Sequence, residues 1–306
     1  MSSTAMAKQQ TAKQAERAQL NEMRRKNAGP LAIRMILIFI GLLYALFPVI
    51  WIISVSVNPA NTNVVRQVVP DNANFEWYRQ LLSGEGPFPF MSWLWNSVKI
   101  SFITMVGSLL ISTFGAYALS RFRFYGRKQT LLGIFLVQVF PSSLLTIAIF
   151  NLILQLGEHV PSLGLNTHSG AILVYFGGAL GINTWLLKGF FDTVPREIDE
   201  AAIIDGASHW QTFWQIIFPL VRPILAVVAI LIFIATYNDY IIALTLLRDT
   251  SQQTLAVGLN LFISDTGTEW GLFAAGALMG AIPIVILYIM MQDYIVGGLT
   301  QGSVKG

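Results

Sequence analysis

Long apolar runs separated by short polar stretches dominate the chain. The runs lie at 35–57, 100–120, 129–157, 169–187, 223–247 and 270–292, and Asp239 is the only charged residue inside any of them. A helix rises about 1.5 Å per residue, so about 20 residues cross the roughly 30 Å hydrocarbon core of a bilayer. Backbone N–H and C=O groups in lipid must pair within the segment, which favours helix, and the runs lack the alternation of barrel strands. The pattern predicts an all-α integral membrane protein with six transmembrane helices.

Composition agrees. Of 306 residues 54% are hydrophobic and only 11% are charged, where a soluble domain carries about 25%. The apolar fraction excludes a disordered chain, and the absence of Cys excludes a disulfide scaffold, a thiol nucleophile and a cysteine-ligated metal. Placement of the basic residues sets the orientation. Lys8, Lys13, Arg17, Arg24, Arg25, Lys26 and Arg34 precede the first run, Arg121, Arg123, Arg127 and Lys128 follow the second, and Lys188, Arg196 and Arg222 follow the fourth. With Lys305 these are 15 of the 19 Lys and Arg residues; the other side holds Arg66, Arg79, Lys99 and Arg248. The positive-inside rule puts both termini in the cytoplasm. The basic leader 1–30 reads as a solvated or surface-lying tail, 31–297 as the membrane domain and 298–306 as a cytoplasmic tail. The first run is too long for a signal peptide and lacks a small-x-small cleavage site.

The outer connection 58–99 is rich in Pro and aromatics. Trp93 and Trp95 read as an interfacial belt, the remainder as a docking surface for an external partner. A further outer loop, 248–269, is polar around Ser264, Asp265, Thr266, Gly267 and Thr268. The inner connection 192–219 is the most informative. Pro195 suits a first helical turn, and Glu197, Asp199 and Glu200 sit where the helix dipole favours anions. Ile198, Ala201, Ala202 and Asp205 share one face by spacing. Gly206 can stop the helix in a left-handed conformation. Ser208 and Gln211 have capping-box spacing and start a second short helix that runs into Phe218-Pro219. The spacing predicts a helix–Gly–helix elbow whose small-residue face fits a groove on another protein. An amphipathic helix lying on lipid headgroups is the alternative, but acidic residues disfavour it at a negative leaflet.

These residues resemble a known family. Glu200-Ala201-Ala202, Gly206, Ile216 and Phe218-Pro219 match the spacing of the EAA signature of ABC importer permeases, with Phe218 in place of the usual Leu. Leu94-Trp95-Asn96-Ser97-Val98-Lys99, Ala116-Tyr117-Ala118, Arg121-Phe122-Arg123-Phe124, Gly164-Leu165-Asn166-Thr167-His168, Thr254-Leu255-Ala256-Val257-Gly258 and the ending Val304-Lys305-Gly306 are similar to MalG-type subunits of maltose importers. The resemblance implies four partners besides membrane lipid: a second, MalF-like permease subunit, two copies of a cytoplasmic ATPase that holds ATP and Mg, and an extracytoplasmic sugar-binding protein. It implies ATPase coupling through Glu200, Ala201, Ala202, Gly206, Ile216 and Pro219, and an ATPase-facing tail at Ser303, Val304 and Lys305. For Ser264, Asp265, Thr266 and Gly267 it implies only a position facing the binding protein. The cargo it implies is maltose, maltodextrin or a related oligosaccharide.

Asn238 and Asp239 are candidates for the translocation pathway or a gate, because a charge in a span faces protein or water; a structural hydrogen bond is the competing reading. Gln138, Asn151, Gln155 and Asn183 can line a path or bond between helices. Pro141 and Pro283 read as kinks or breaks, and Gly177-x-x-x-Gly181 and Gly276-x-x-x-Gly280 as packing faces. The chain has no Gly-x-x-x-x-Gly-Lys-Ser/Thr loop and no His-Glu-x-x-His pair, so its own ATP hydrolysis and a metal site are not expected, nor is nucleic-acid binding. Two other classes compete: an intramembrane enzyme using Asp239 with Asp293, whose carboxylates the topology places at opposite depths, and a self-contained secondary transporter, which would show two related halves.

Overall fold

A computed structural model describes residues 33–64, 67–84, 86–139, 141–264 and 267–303. The leader 1–30, Asp265, Thr266, Val304 and Lys305 lie outside the described residues. The fold is almost wholly helical. Helix α1, Ile33–Ser56, follows the first apolar run but has none of its apolar window buried against the rest of the chain. Its last turn is held: the Ser56 and Tyr78 hydroxyls bond at 2.8 Å, Ser54 Oγ donates to Gln67 O at 3.2 Å, and Val55 is buried. After the short α2, Glu76–Ser83, helix α3, Phe90–Arg121, starts ten residues before the second apolar run. Trp93 is therefore core rather than interfacial belt: it is fully buried, and its indole N–H donates to Thr250 O at 2.8 Å. Trp95, by contrast, is exposed.

The third run divides at Pro141 into α4, Arg127–Val139, and α5, Ser142–His159. Helix α6, His168–Phe191, bends by 46° between its Gly178 and Gly181 ends. Among the described residues a Cβ at Gly177 would meet nothing within 4 Å, so Gly177 makes no close packing contact there, whereas Cβ atoms at Gly276 and Gly280 would strike Leu259 and Leu255 at 2.7 and 2.5 Å. The inner connection carries α7, Arg196–Ile204, then α8, His209–Gln211. A π-helical segment, Thr212–Ile217, joins α8 to α9, Phe218–Tyr237. The second elbow helix is thus the base of the fifth span rather than a separate element.

The fifth run itself breaks after Tyr237 and resumes as α10, Ile241–Leu246. Helix α11, Leu255–Asn260, and a minimal hairpin, β1 Ile263–Ser264 with β2 Gly267–Thr268, lead into α12, Trp270–Ser303. Helix α12 runs unbroken through Pro283 and extends into 298–303. Among the described residues four helices (α1, α3, the α8–α9 unit and α12) are long and apolar enough to cross a bilayer, and the bent α6, taken as one span, makes a fifth. The main core forms where α3 packs on α6 and α9, with α12 against α9. A run of buried hydroxyls on α3 (Ser97, Ser101, Thr104, Ser108, Ser112) lies within this packed region; small side chains let helix backbones approach closely in lipid.

Candidate coupling elbow and membrane cavity

The elbow is built by local capping. Pro195 is the N-cap of α7, one residue before the first turn in which the sequence suggests it. At the other end Gly206 has φ +89°. Its N–H donates to Ile203 O and the Ala207 N–H to Ala202 O, each at 3.0 Å. This paired pattern with a left-handed glycine is a Schellman stop. The chain restarts at once, because Ser208 Oγ accepts from the Gln211 N–H while Gln211 Oε1 accepts from the Ser208 N–H at 2.8 Å, a complete capping box. Phe213 and Ile217 are buried below it, and Phe114 on α3 packs against Trp210, Phe213 and Trp214.

The buried and free faces of α7 differ from the sequence-derived one. Ala202 is buried and Ile198 half-buried against the chain's own bundle, whereas Glu197, Glu200, Ala201, Ile204 and Asp205 are exposed. Ile204 is 85% exposed. The uncovered face is therefore Glu197, Glu200, Ala201 and Ile204, at i, i+3, i+4 and i+7. Ile216 and Pro219 are half-buried; they stand at the base of α9, Ile216 packed on the core. Gly206 forms the turn itself.

Polar contacts fix the elbow to the bundle. Arg121, at the end of α3, lies 3.0 Å from Asp199 of α7, and its Nη2 donates to Val194 O at 3.0 Å. Burial pushes the Asp199 carboxyl above its ordinary pKa, against the opposing pull of the Arg121 charge. For Asp192 burial also acts upward, but hydrogen bonds from Lys188 and Ser120 prevail and hold it below the usual range. Sequence reasoning used Arg121 in the charge asymmetry and in the family-like segment Arg121-Phe122-Arg123-Phe124, and Asp199 in a helix dipole, without pairing the two. The pairing joins residues distant along the chain, and local spacing carries no signal for it.

At membrane depth, a cavity of about 780 Å³ opens between α4, α6 and α9, lined in part by Tyr175, Asn183, Trp185, Thr236 and Asp239. Asp239 explains the break in the fifth run. Its Oδ1 accepts the N–H groups of Ile242 and Ala243 at 3.0 and 3.2 Å, capping α10, and also the Tyr175 hydroxyl at 3.0 Å. Asp239 thus makes a structural hydrogen bond to a neighbouring helix and faces the cavity at once. Asn238 is exposed and stands outside the cavity lining. Tyr175 was missed because its alignment with Asp239 needs the packing of α6 on α9.

At the opposite end of the bundle, Ser264 and Gly267 pair in the hairpin that leads into α12. Asn61 ties this region to the outer connection: its Nδ2 donates to Glu269 Oε2 at 2.8 Å, and its Oδ1 accepts from the Gly271 N–H at 3.1 Å. Ser303 is the last residue of α12. The structure thus brings together Glu200, Ala201, Ala202 and Gly206 at one end, with Asp239 and the hairpin in separate places.

Comparison with known proteins agrees with this architecture. Residues 108–297 match the family described as binding-protein-dependent transport system inner membrane component. A maltose/maltodextrin transport system permease protein, MalG, of Photorhabdus laumondii is 41% identical over 281 residues, covering 89% of this chain and 94% of that protein. The protein of the same name from Escherichia coli K12 is 39% identical over 282 residues, with coverages of 89% and 94%. In structure the chain is similar to a chain of a bacterial ABC transporter involved in the import of the acidic polysaccharide alginate, with a TM-score of 0.67, 27% identity, and coverage of 86% of this chain and 95% of that one. Sequence and fold together place the chain in the family of binding-protein-dependent transport system inner membrane components, to which it belongs.

Proposed function

We propose that this chain is the MalG-type permease subunit of an ATP-driven importer that carries maltose, maltodextrin or a related oligosaccharide into the cytoplasm. The observation that carries the reading is the elbow, a short helix with a rigid stop whose acidic and apolar face, Glu197, Glu200, Ala201 and Ile204, has no cover at the basic end of the bundle. A cytoplasmic ATPase dimer, with ATP and Mg in its own sites, grips that face. Glu200 pairs with a basic group of the ATPase groove, Ala201 on the free face allows its close approach, Ala202 lets α7 sit close to its own bundle, and Gly206, Ile216 and Pro219 hold its angle. The tail at Ser303, Val304 and Lys305 reaches toward the ATPase.

Six crossings with both termini cytoplasmic accompany this reading: α1, α3, α4 with α5, α6, α9 with α10, and α12. Fifteen of the 19 basic residues then lie inside. The free apolar surface of α1 supports a second, MalF-like permease subunit as neighbour, and the segment from Ser264 to Gly267 faces the extracytoplasmic binding protein. Asp239 borders the sugar path, with Asn238 beside it. ATP closure of the motor displaces α7 as a rigid body, and packed helix interfaces convert that displacement into a discrete change of the bundle. Sugar specificity rests on the names of the relatives at about 40% identity.

Reconstitution tests the proposal. The chain is co-expressed with its permease partner, ATPase and binding protein, and proteoliposome uptake is measured with maltose, maltotriose, trehalose and alginate oligosaccharides. The proposal expects uptake of the maltodextrins with ATP hydrolysis stimulated by the loaded binding protein. Uptake by this chain without an ATPase, or of alginate alone, contradicts it.

A further inference from the structure

Helix α7 turns the half-buried Ile198 and the small Ala202 to its own bundle as apolar contacts. Polar contacts add to these, and they converge on the last turn of α3. The Arg121 and Asp199 side chains, 3.0 Å apart, are only 6% and 14% exposed. Both Asp199 carboxylate oxygens are closed off from solvent, and the Arg121 side chain is the cationic partner that lies against them. The charges that face them are Arg121 and, less strongly, Arg196. A carboxylate buried in this way depends on its cation, because removing one partner leaves an uncompensated charge. The contact is reciprocal: Arg196 Nη2 donates to Ser120 O at 2.7 Å, and Ser120 Oγ donates to Asp192 Oδ1 at 2.6 Å. Lys188, a turn earlier on α6, pairs with the other oxygen of Asp192. The ends of α3 and α6 and the start of α7 are thereby laced together.

Helix α3 is also one unbroken rod of 32 residues. At its far end Trp93 donates to Thr250 O, and Asn96 Nδ2 donates to Ser251 O and Gln253 O at 2.9 and 3.0 Å. Ser97 Oγ accepts the Leu255 N–H at 2.8 Å. The segment held there is the outer connection that leads through α11 to the hairpin. One helix therefore touches the elbow at one end and the outer loop at the other.

We propose that the Arg121–Asp199 pair locks α7 to α3, making Arg121 a positioning residue for transport and α3 a rod that carries the elbow's displacement to the outer loop 250–255. The chain already continues from α6 into α7 and from α7 through α8 into α9; α3, which has no covalent neighbour in the elbow, is tied to α7 by the ion pair together with the Arg196–Ser120 O bond. The inference rests on the importer reading, in which the motor moves α7.

Two measurements on the assembled complex test it. The chain has no Cys, so spin labels at Arg123→Cys, two residues past the end of α3, and Asp205→Cys, the C-cap of α7, both exposed positions, report the separation of these two helix ends without background. The lock predicts the same distance in the nucleotide-free and ATP-bound complex. A change approaching one helical turn, roughly 5 Å, overturns it. Second, Arg121→Met and Asp199→Asn are assayed in proteoliposomes for sugar moved per ATP hydrolysed. The expected result is a fall of about threefold to thirtyfold while the ATPase still co-purifies and still hydrolyses ATP, with substantial recovery in the exchanged double variant Arg121→Asp/Asp199→Arg. An unchanged ratio in both single variants overturns the proposal. So does loss of the assembled complex in both, since the pair is then a support for folding alone. If the unaltered complex moves no sugar, the importer reading fails, whereas the label distance still decides the lock.

Discussion

Gly206 offers the sharpest perturbation of the elbow, because its substitutions separate backbone strain from side-chain crowding. Its φ is +89°, and a Cβ there would meet nothing within 4 Å. Gly206→Ala therefore adds no clash and costs only the left-handed conformation, about 1–2 kcal/mol. Gly206→Asn costs less, since Asn visits that region more readily. Gly206→Pro is worse than either: its ring requires φ near −65°, and it deletes the N–H that donates to Ile203 O at 3.0 Å. A cost of one or two kcal/mol shifts a two-state equilibrium by about 5- to 30-fold. If the elbow angle presents α7 to its motor, sugar uptake at equal membrane abundance should fall in the order Gly, Asn, Ala, Pro. Loss of uptake should track loss of ATPase co-purification. Uptake that is equal in all four proteins, or lower for Asn than for Ala, would refute the conformational argument.

Other outcomes follow from the same geometry. Glu200→Lys changes an exposed residue on the free face of α7 and should leave thermal stability within about 0.5 kcal/mol while abolishing most uptake; full uptake removes Glu200 from the motor contact. Asp239→Asn keeps an oxygen acceptor for the Ile242 and Ala243 N–H groups, whereas Asp239→Ala loses the cap, at about 0.5–2 kcal/mol. Unfolding of the purified protein should rank Ala below Asn, and equal stabilities would deny Asp239 its capping role. If the charge also serves the path, the Asn variant loses uptake without loss of stability. Trp93→Ala empties a fully buried site packed on Gly258 and should cost about 3–5 kcal/mol; a loss under about 1 kcal/mol would restore the interfacial reading of Trp93.

Local signals read well from the residues alone. The apolar runs at 35–57 and 270–292 mark α1 and α12 within a few residues apart from the C-terminal extension of α12, because bilayer length and hydropathy are properties of single segments. The elbow was equally legible, since Gly206 and the Ser208/Gln211 pair act on their own neighbours. What escaped depends on distant partners. The fifth run looks continuous by hydropathy, yet it breaks where Asp239 captures the N–H groups of α10 and the Tyr175 hydroxyl of α6. Trp93 passed for a belt residue because the glycine that admits its ring, Gly258, lies far along the chain. The buried face of α7 was misread because Ala201 and Ala202 are alike in composition, and only the position of α3 decides which of them turns inward. Gly177 shows the reverse error: a small-residue spacing with no close packing contact among the described residues.

The central claim is that the free face of α7 is held by a nucleotide-driven partner, and cross-linking tests it most directly. With no native Cys in the chain, Ile204→Cys on the exposed face and Ala202→Cys on the buried face can be compared in the assembled transporter, using an ATPase that carries single cysteines along its candidate groove. The account predicts rapid disulfide formation from position 204, none from position 202, and sugar uptake that stops on cross-linking and returns on reduction. Equal reaction at the two positions, or uptake unaffected by a complete cross-link, would contradict it.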